Sequence, residues 1–333
     1  MSGYIRNIVD SLKLFLIAKN NMKQQKKFIA LHLTPVIKEA KTTNDGSLDD
    51  EDFKKIHLYA LTVPAMLGEA FCVLRGTKMN DRERKSITFL SSITGLFDDL
   101  FDRKNLSEAY LKNLLDNPNE SAASNANEIL LIKLYSIALE NSDKKDLIKS
   151  YALKVYYAQL ASKKQSEGNL THDEIQLITF EKGGVSIPLY RCAFEGKIEQ
   201  SEYEMLYYVG AIGQLENDIF DVHKDYTANI QTLATAETDI KNLCSTYKSL
   251  MHKISTLISQ TSYPQVNKQK FLQFVNLVTC RGLVGLDMLE RNANRTQGIF
   301  QPDKYKRKDL ICDMESPYQL LKLLHYAALC HKK

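Results

Sequence analysis

Apolar residues recur at helical spacing along almost the whole chain, and the punctuation that a strand-and-turn architecture needs is nearly absent. The 333 residues include only seven prolines and fourteen glycines, so an all-α fold is the expectation. One stripe sets the terms for the rest. Ile87, Phe89, Leu90, Ile93, Leu96 and Phe97 share helical spacing and run into Asp98-Asp99-Leu100-Phe101-Asp102. On a helix Asp98 and Asp102 lie on one face, and Asp99 is three before Asp102. Like charges so placed repel by roughly 0.2–0.5 kcal/mol per pair in an isolated helix. A structural helix gains nothing from that. A hard divalent cation reverses the sign, since Mg²⁺ takes oxygen ligands and usually one or two protein carboxylates per ion. The plain alternative is an acidic helix end in water.

A second stretch reads Gly213-Gln214-Leu215-Glu216-Asn217-Asp218-Ile219-Phe220-Asp221-Val222-His223-Lys224-Asp225. Asn217, Asp221 and Asp225 stand at i, i+4 and i+8 and form a stripe of oxygen donors two turns long. Leu215, Ile219, Phe220 and Val222 keep the segment apolar elsewhere. Three oxygens on one face suit one Mg²⁺ ion. An amphipathic helix whose polar face carries Asn and Asp is the alternative.

Together, Asp98-Asp99-x-x-Asp102 and Asn217-Asp218-x-x-Asp221-x-x-x-Asp225 resemble the two metal-binding motifs of class I terpene synthases. The second resembles their Asn-Ser/Thr-Glu triad, with Asp221 and Asp225 at the second and third positions. It also resembles the Asp-Asp-x-x-Asp of the related trans-prenyl diphosphate synthases. The resemblance spans nearly the whole chain. It implies one all-α domain over 1–333, a helical bundle with a central active-site cavity. It also implies two or three Mg²⁺ ions, with Mn²⁺ as a substitute, held by Asp98, Asp102, Asn217, Asp221 and Asp225. Asp99 belongs to the same catalytic motif. The implied substrate is a prenyl diphosphate of C15 to C25, with C20 preferred, ionised to an allylic cation and cyclised to a hydrocarbon or alcohol. Two alternatives stay open: a trans-prenyl diphosphate synthase or head-to-head prenyltransferase, and a non-catalytic helical interaction protein. Against chain elongation, no arginine pair follows the first motif and no Gly-Lys-Arg-type segment lies near the N-terminus.

Taken in order, residues 1–20 read as an amphipathic helix whose apolar run, interrupted by Arg6, Asp10 and Lys13, is too short for a membrane span. Residues 22–41 continue as a second helix, and 42–52 as a polar loop with an acidic helix start. Residues 55–76 form a buried helix kinked at Pro64. Asn80 starts the helix that carries the first motif. Helices follow near 106–116, 123–141 and 144–165, and Gly168-Asn169 interrupts the chain. A helix from Asp173 meets Lys182-Gly183-Gly184. Two glycines there cost about 1 kcal/mol each relative to Ala, so either a ligand-approach break or a close helix packing should offset them. Further helices are expected over 201–226, 236–261, 267–292 and 315–331.

By the resemblance, the Lys182 break corresponds to the helix that senses the diphosphate, with Arg191 as second candidate. Many bacterial terpene synthases carry an Arg-Tyr pair about where this chain has Lys304-Tyr305, so that pair and Arg295 are candidate caps on the diphosphate. A solvated basic loop over 303–308 is the alternative. Apolar and aromatic walls would shield and stabilise a cation. Phe71, Phe97, Phe101, Phe180, Tyr190, Phe194 and Tyr208 are the candidates, each of which also suits an ordinary core.

The net charge of +4 offers no case for nucleic-acid binding. The six cysteines show neither CxxC nor zinc-type spacing and, with no secretion signal, read as reduced thiols of a cytoplasmic protein. No stable membrane insertion is expected, and a homodimer is compatible with the class.

Overall fold

The computed structural model describes residues 3–97, 107–119 and 123–330. Among these the chain is helix and connecting loop with no strand, so the all-α expectation holds. The helices are α1 Gly3–His32, α2 Thr34–Thr42, α3 Asp50–Val63, α4 Glu69–Arg75, α5 Asp81–Ser92, α6 Glu108–Asp116, α7 Ala126–Glu140 and α8 Lys145–Ser162. Then come α9 His172–Gly184, α10 Ser186–Arg191, α11 Gln200–Phe220, α12 Val222–Thr227 and α13 Leu233–Ala236. The chain closes with α14 Ile240–Gln260, α15 Gln265–Arg295, α16 Arg307–Leu310 and α17 Pro317–Cys330.

Side-chain caps start several of these helices. Asp49 with Asp52, Asn80 with Glu83, and Thr171 with Glu174 each form a reciprocal capping box at the start of α3, α5 and α9, satisfying backbone N–H groups that would otherwise lack partners. Gly168 and Asn169 both take left-handed backbone, at φ 80° and 64°, which ends the preceding helical run.

Some boundaries differ from expectation. The helix that Asn80 starts ends at Ser92, with a turn at Ile93, and so stops short of the first motif. Residues 1–20 and 22–41 do not split at position 21. One helix runs to His32, and the break falls at Leu33, where Pro35 sits in the first turn of α2 and cannot continue the preceding ladder. Pro64 does interrupt 55–76, but as a five-residue π-helical turn, Pro64–Gly68, rather than a bare kink.

The chain divides into two compact units. The first comprises Met1–Phe15, Ala161–Ile187 and Glu199–Lys333. In it α11 packs on α9, α14 and α15, while α15 also packs on α14 and α17. The second comprises Leu16–Leu160 and Pro188–Ile198. There α5 packs between α3 and α7, with the π-helical turn against α3, α4 and α5. The Gln25 amide, fully buried in this unit, donates to the Ala60 carbonyl (2.9 Å) and to Thr88 Oγ1 (2.8 Å), so its burial is compensated.

Candidate functional site

The second carboxylate stretch lies in the first unit, and a helix crossing sets its surroundings. Gly183 and Gly184 end α9, and Gly210 lies in the middle of α11. A β-carbon on Gly183 would fall 2.1 Å from the Gly210 carbonyl oxygen, and one on Gly184 would fall 2.4 Å from the Tyr207 ring. The two backbones therefore meet with no room for a side chain. Close packing explains the glycine pair; the helix continues through it, breaks at Val185 and resumes as α10. Tyr207 Oη donates to Glu181 Oε1 at 2.7 Å and pins the same crossing.

Near this crossing the charge of Lys182 acts on Asp218 in the last turn of α11 and on Asp225 beyond it. Asp218, only 3% exposed, accepts from Thr179 Oγ1 (3.1 Å) and from Gln214 Nε2 (2.9 Å). Burial pushes its carboxyl up to about 6, opposed by those hydrogen bonds and by the charge of Lys182. Burial pushes Asp225 up to about 7, helped by the negative charges of Asp218 and Asp221 and opposed by Lys224 and Lys182. Asn217 is exposed and Asp221 half-buried. The Lys224–Asp221 pair at 3.3 Å is at the surface and contributes little.

The stripe is not on one uninterrupted helix as expected. α11 ends at Phe220 and α12 starts at Val222, with Asp221 between them at φ −91°, ψ 9°. The helical bonds nonetheless persist: Asp221 N–H donates to the Asn217 carbonyl and Asp225 N–H to the Asp221 carbonyl, both at 2.8 Å. The i, i+4, i+8 relationship survives the junction.

Two carboxylates and one carboxamide on successive turns, beside the buried carboxylate of Asp218, form a site short of positive charge. Burial first, and neighbouring carboxylates second, push Asp218 and Asp225 toward the neutral form, and a divalent cation would favour their charged form. Among the described residues no three His, Cys, Asp or Glu side chains converge into a ready-made metal cluster. The donor set fits Mg²⁺, which keeps waters and takes one or two carboxylates together with substrate phosphates.

The residue before the stripe is anchored from beneath. Glu216, 6% exposed, meets Arg281 of α15 at 3.5 Å, and Tyr247 Oη of α14 lies 3.4 Å away while donating to the Thr279 carbonyl at 2.7 Å. Burial pushes Glu216 up to about 7, opposed by Arg281 and Tyr247. Sequence reasoning misses this network and the two residues that hold Asp218. Gln214 is visible in the sequence as an i, i+4 partner of Asp218. Thr179, Arg281 and Tyr247 leave no local signal.

The basic C-terminal segment belongs to the same unit. The turn Pro302–Lys304 and α16 both pack on α12. Arg295, 65% exposed, pairs with Asp309 at 3.2 Å, and Lys304 pairs with Asp303 at 3.2 Å. Tyr305 Oη shares a 2.5 Å hydrogen bond with Thr296 Oγ1, and its ring stacks on Phe300 at 5.3 Å. Phe180 lines a cavity of about 390 Å³ with Leu250 and Lys253, and the same lysine lies 5.6 Å over the Tyr208 ring.

The remaining candidates lie in the second unit or outside the described residues. Asp98, Asp99, Phe101 and Asp102 are outside them. Arg191 is 1% exposed, and its Nη1 donates to the Phe194 and Glu195 carbonyls at 3.2 Å each. Phe71 and Phe194 are buried edge to face at 5.3 Å. Phe97 is buried with its ring 6.4 Å from Tyr135. Tyr190 is buried, its hydroxyl 2.7 Å from Thr94 Oγ1. Each is packed as a core side chain of its own unit.

No protein-family model matches the chain, and no curated protein matches it. A solved structure described as a dehydrosqualene synthase in complex with ligand aligns with a TM-score of 0.44 at 16% identity, over 83% of this chain and 96% of that one.

Proposed function

We propose that this chain is an isoprenoid synthase of the class I terpene synthase type. It would ionise a linear prenyl diphosphate, C15 to C25 with C20 first, release pyrophosphate, and turn the allylic cation into a terpene hydrocarbon or alcohol. The observation that carries the reading is that the charge of Lys182 acts on Asp218 and on Asp225 of the stripe, because carboxylates near a lysine suit a metal-bound diphosphate. The two carboxylate motifs of the sequence support it.

Asn217, Asp221 and Asp225 are the proposed ligands on the second stretch, and Asp98 and Asp102 those on the first. Bound Mg²⁺ would act as a Lewis acid and neutralise the leaving diphosphate. Lys182 would donate to the diphosphate oxygens, with Lys304, Tyr305 and Arg295 as further partners once their present pairings open. Asp218, held by Thr179 and Gln214, fixes the α9–α11 register that presents Lys182. Glu216 and Arg281 anchor the turn that presents Asn217.

One observation favours a second reading, a head-to-head prenyltransferase. The Asp-x-x-x-Asp spacing of Asp98 and Asp102 is repeated by Asp221 and Asp225, and two like pairs suit two diphosphates. One assay separates the readings: purified protein and Mg²⁺ with C10, C15, C20 and C25 prenyl diphosphates, each alone and with isopentenyl diphosphate. A product with the substrate's own carbon count, formed from one substrate with pyrophosphate release, supports the terpene synthase. A product of twice the carbon count supports head-to-head coupling. A longer diphosphate formed only with isopentenyl diphosphate indicates a chain-elongating synthase, and no turnover overturns the enzymatic reading.

A further inference from the structure

The proposed chemistry uses none of the six cysteines, yet two of them meet. Cys280, fully buried in α15, and Cys330, the last residue of α17, are 50 positions apart in sequence with their Sγ atoms 3.4 Å apart. The contact follows from the packing of α17 on α15, where buried Ala327 and Ala328 permit close approach. Cys330 is partly exposed and lines a groove of about 650 Å³ with Tyr4, Asn7, Gln273 and Asn276. The other thiols differ. Burial pushes Cys72 up to about 12 and Cys244 up to about 11. Cys192 Sγ donates to its own helix at the Pro188 carbonyl, and Cys312 Sγ faces Met314.

We infer that Cys280 and Cys330 are a dithiol that closes to a disulfide when a soluble peptide disulfide of the glutathione class reaches Cys330 through this groove. The sulfurs must approach from 3.4 Å to a bond of about 2.05 Å, and Cys330 sits at the last turn of its helix, where a small displacement disturbs little. Cys330 is the partly exposed member of the pair and lines the groove, whereas Cys280 is fully buried, so Cys330 is the attacking thiolate. It attacks one sulfur of the peptide disulfide and forms a mixed disulfide; the first peptide thiolate leaves and takes up the proton that Cys330 gave. Cys280 Sγ then attacks Cys330 Sγ and expels the second peptide thiolate, which takes the Cys280 proton. Two protein S–H groups and one peptide S–S bond become one protein S–S bond and two peptide thiols. The protein loses two electrons and the peptide disulfide gains them.

This inference stands apart from the prenyl diphosphate reading. The test incubates the full chain with excess oxidised glutathione at pH 8, alkylates it under denaturing conditions and maps peptides without reduction. The expected result is one cross-linked pair containing Cys280 and Cys330, two fewer alkylated thiols, and a raised thermal midpoint, all reversed by dithiothreitol. Cys280→Ser and Cys330→Ser should each remove the cross-link; the second is at a helix end and tolerates replacement. A glutathione adduct that persists on Cys330, a cross-link to another cysteine, or full alkylation of both thiols after oxidation would overturn it.

Discussion

The carbonyl oxygen of Gly210 lies 2.1 Å from where a β-carbon on Gly183 would be, and the relation is reciprocal. Any separation of the two helices would weaken the influence of the Lys182 charge on Asp218 and Asp225. Gly183→Ala should therefore destabilise the first unit by about 2–3 kcal/mol through overpacking, read as a lower thermal midpoint. Gly213→Ala, on the same helix as Gly210 with nothing within 4 Å of its β-carbon, is the control and should be neutral or slightly stabilising. Equal midpoints for the two variants would refute the crossing.

Asn217→Ala and Asp98→Ala should each reduce turnover by more than about a hundredfold while the far-ultraviolet circular dichroism stays unchanged, because the lost group would act on the leaving diphosphate. Unchanged turnover in both would remove the metal assignment.

Lys182 is exposed to a sharper test. Lys182→Ala should raise KM for the prenyl diphosphate about ten- to a hundredfold, the scale of one lost charge-assisted hydrogen bond, and Lys182→Arg should recover part of it. A Lys182→Ala enzyme with unaltered kinetics would leave the lysine a surface side chain at a packing site.

Mg²⁺ with pyrophosphate should raise the thermal midpoint by linkage to the folded state, by a few degrees at saturating concentrations. Chelation with EDTA should cancel the rise, and Asp225→Asn should abolish it. If the midpoint does not respond to Mg²⁺ and pyrophosphate, a non-catalytic helical protein becomes the better account.

The second unit offers a pH prediction of definite sign. Glu83 is 2% exposed, and burial raises its carboxyl, but the Arg75 guanidinium at 2.6 Å and the backbone N–H groups of Glu195 and Asn80 more than offset it. Its folded value is depressed, so its contribution is present above the unfolded glutamate value of about 4.3 and is lost as pH falls through the folded value. The gap in thermal midpoint between wild type and Glu83→Gln should be widest near pH 6–7 and shrink steadily below about pH 4.3. A gap that stays constant into acid would show that the pairing adds no pH-linked stability.

Periodicity and caps are local, and that is why they are legible in the amino-acid sequence alone. Thr171 with Glu174 starts a helix because two side chains three apart reach each other's backbone. Asn217, Asp221 and Asp225 share a face because 3.6 residues make a turn, and the break at Asp221 leaves that spacing intact. The all-helical class and the oxygen stripe follow from the chain alone. Tertiary packing decides which distant residues face them. The charge of Lys182 reaches Asp218 and Asp225 because Gly183 and Gly210, 27 positions apart, allow two backbones to touch. Along the sequence the same glycine pair reads equally well as a ligand-approach break, and only the crossing distinguishes the two. Arg281 reaches Glu216, and Cys280 meets Cys330, through the packing of α15 on α11 and α17. Such pairings depend on how side-chain volumes interlock along a helix crossing, and no spacing rule along one chain encodes that.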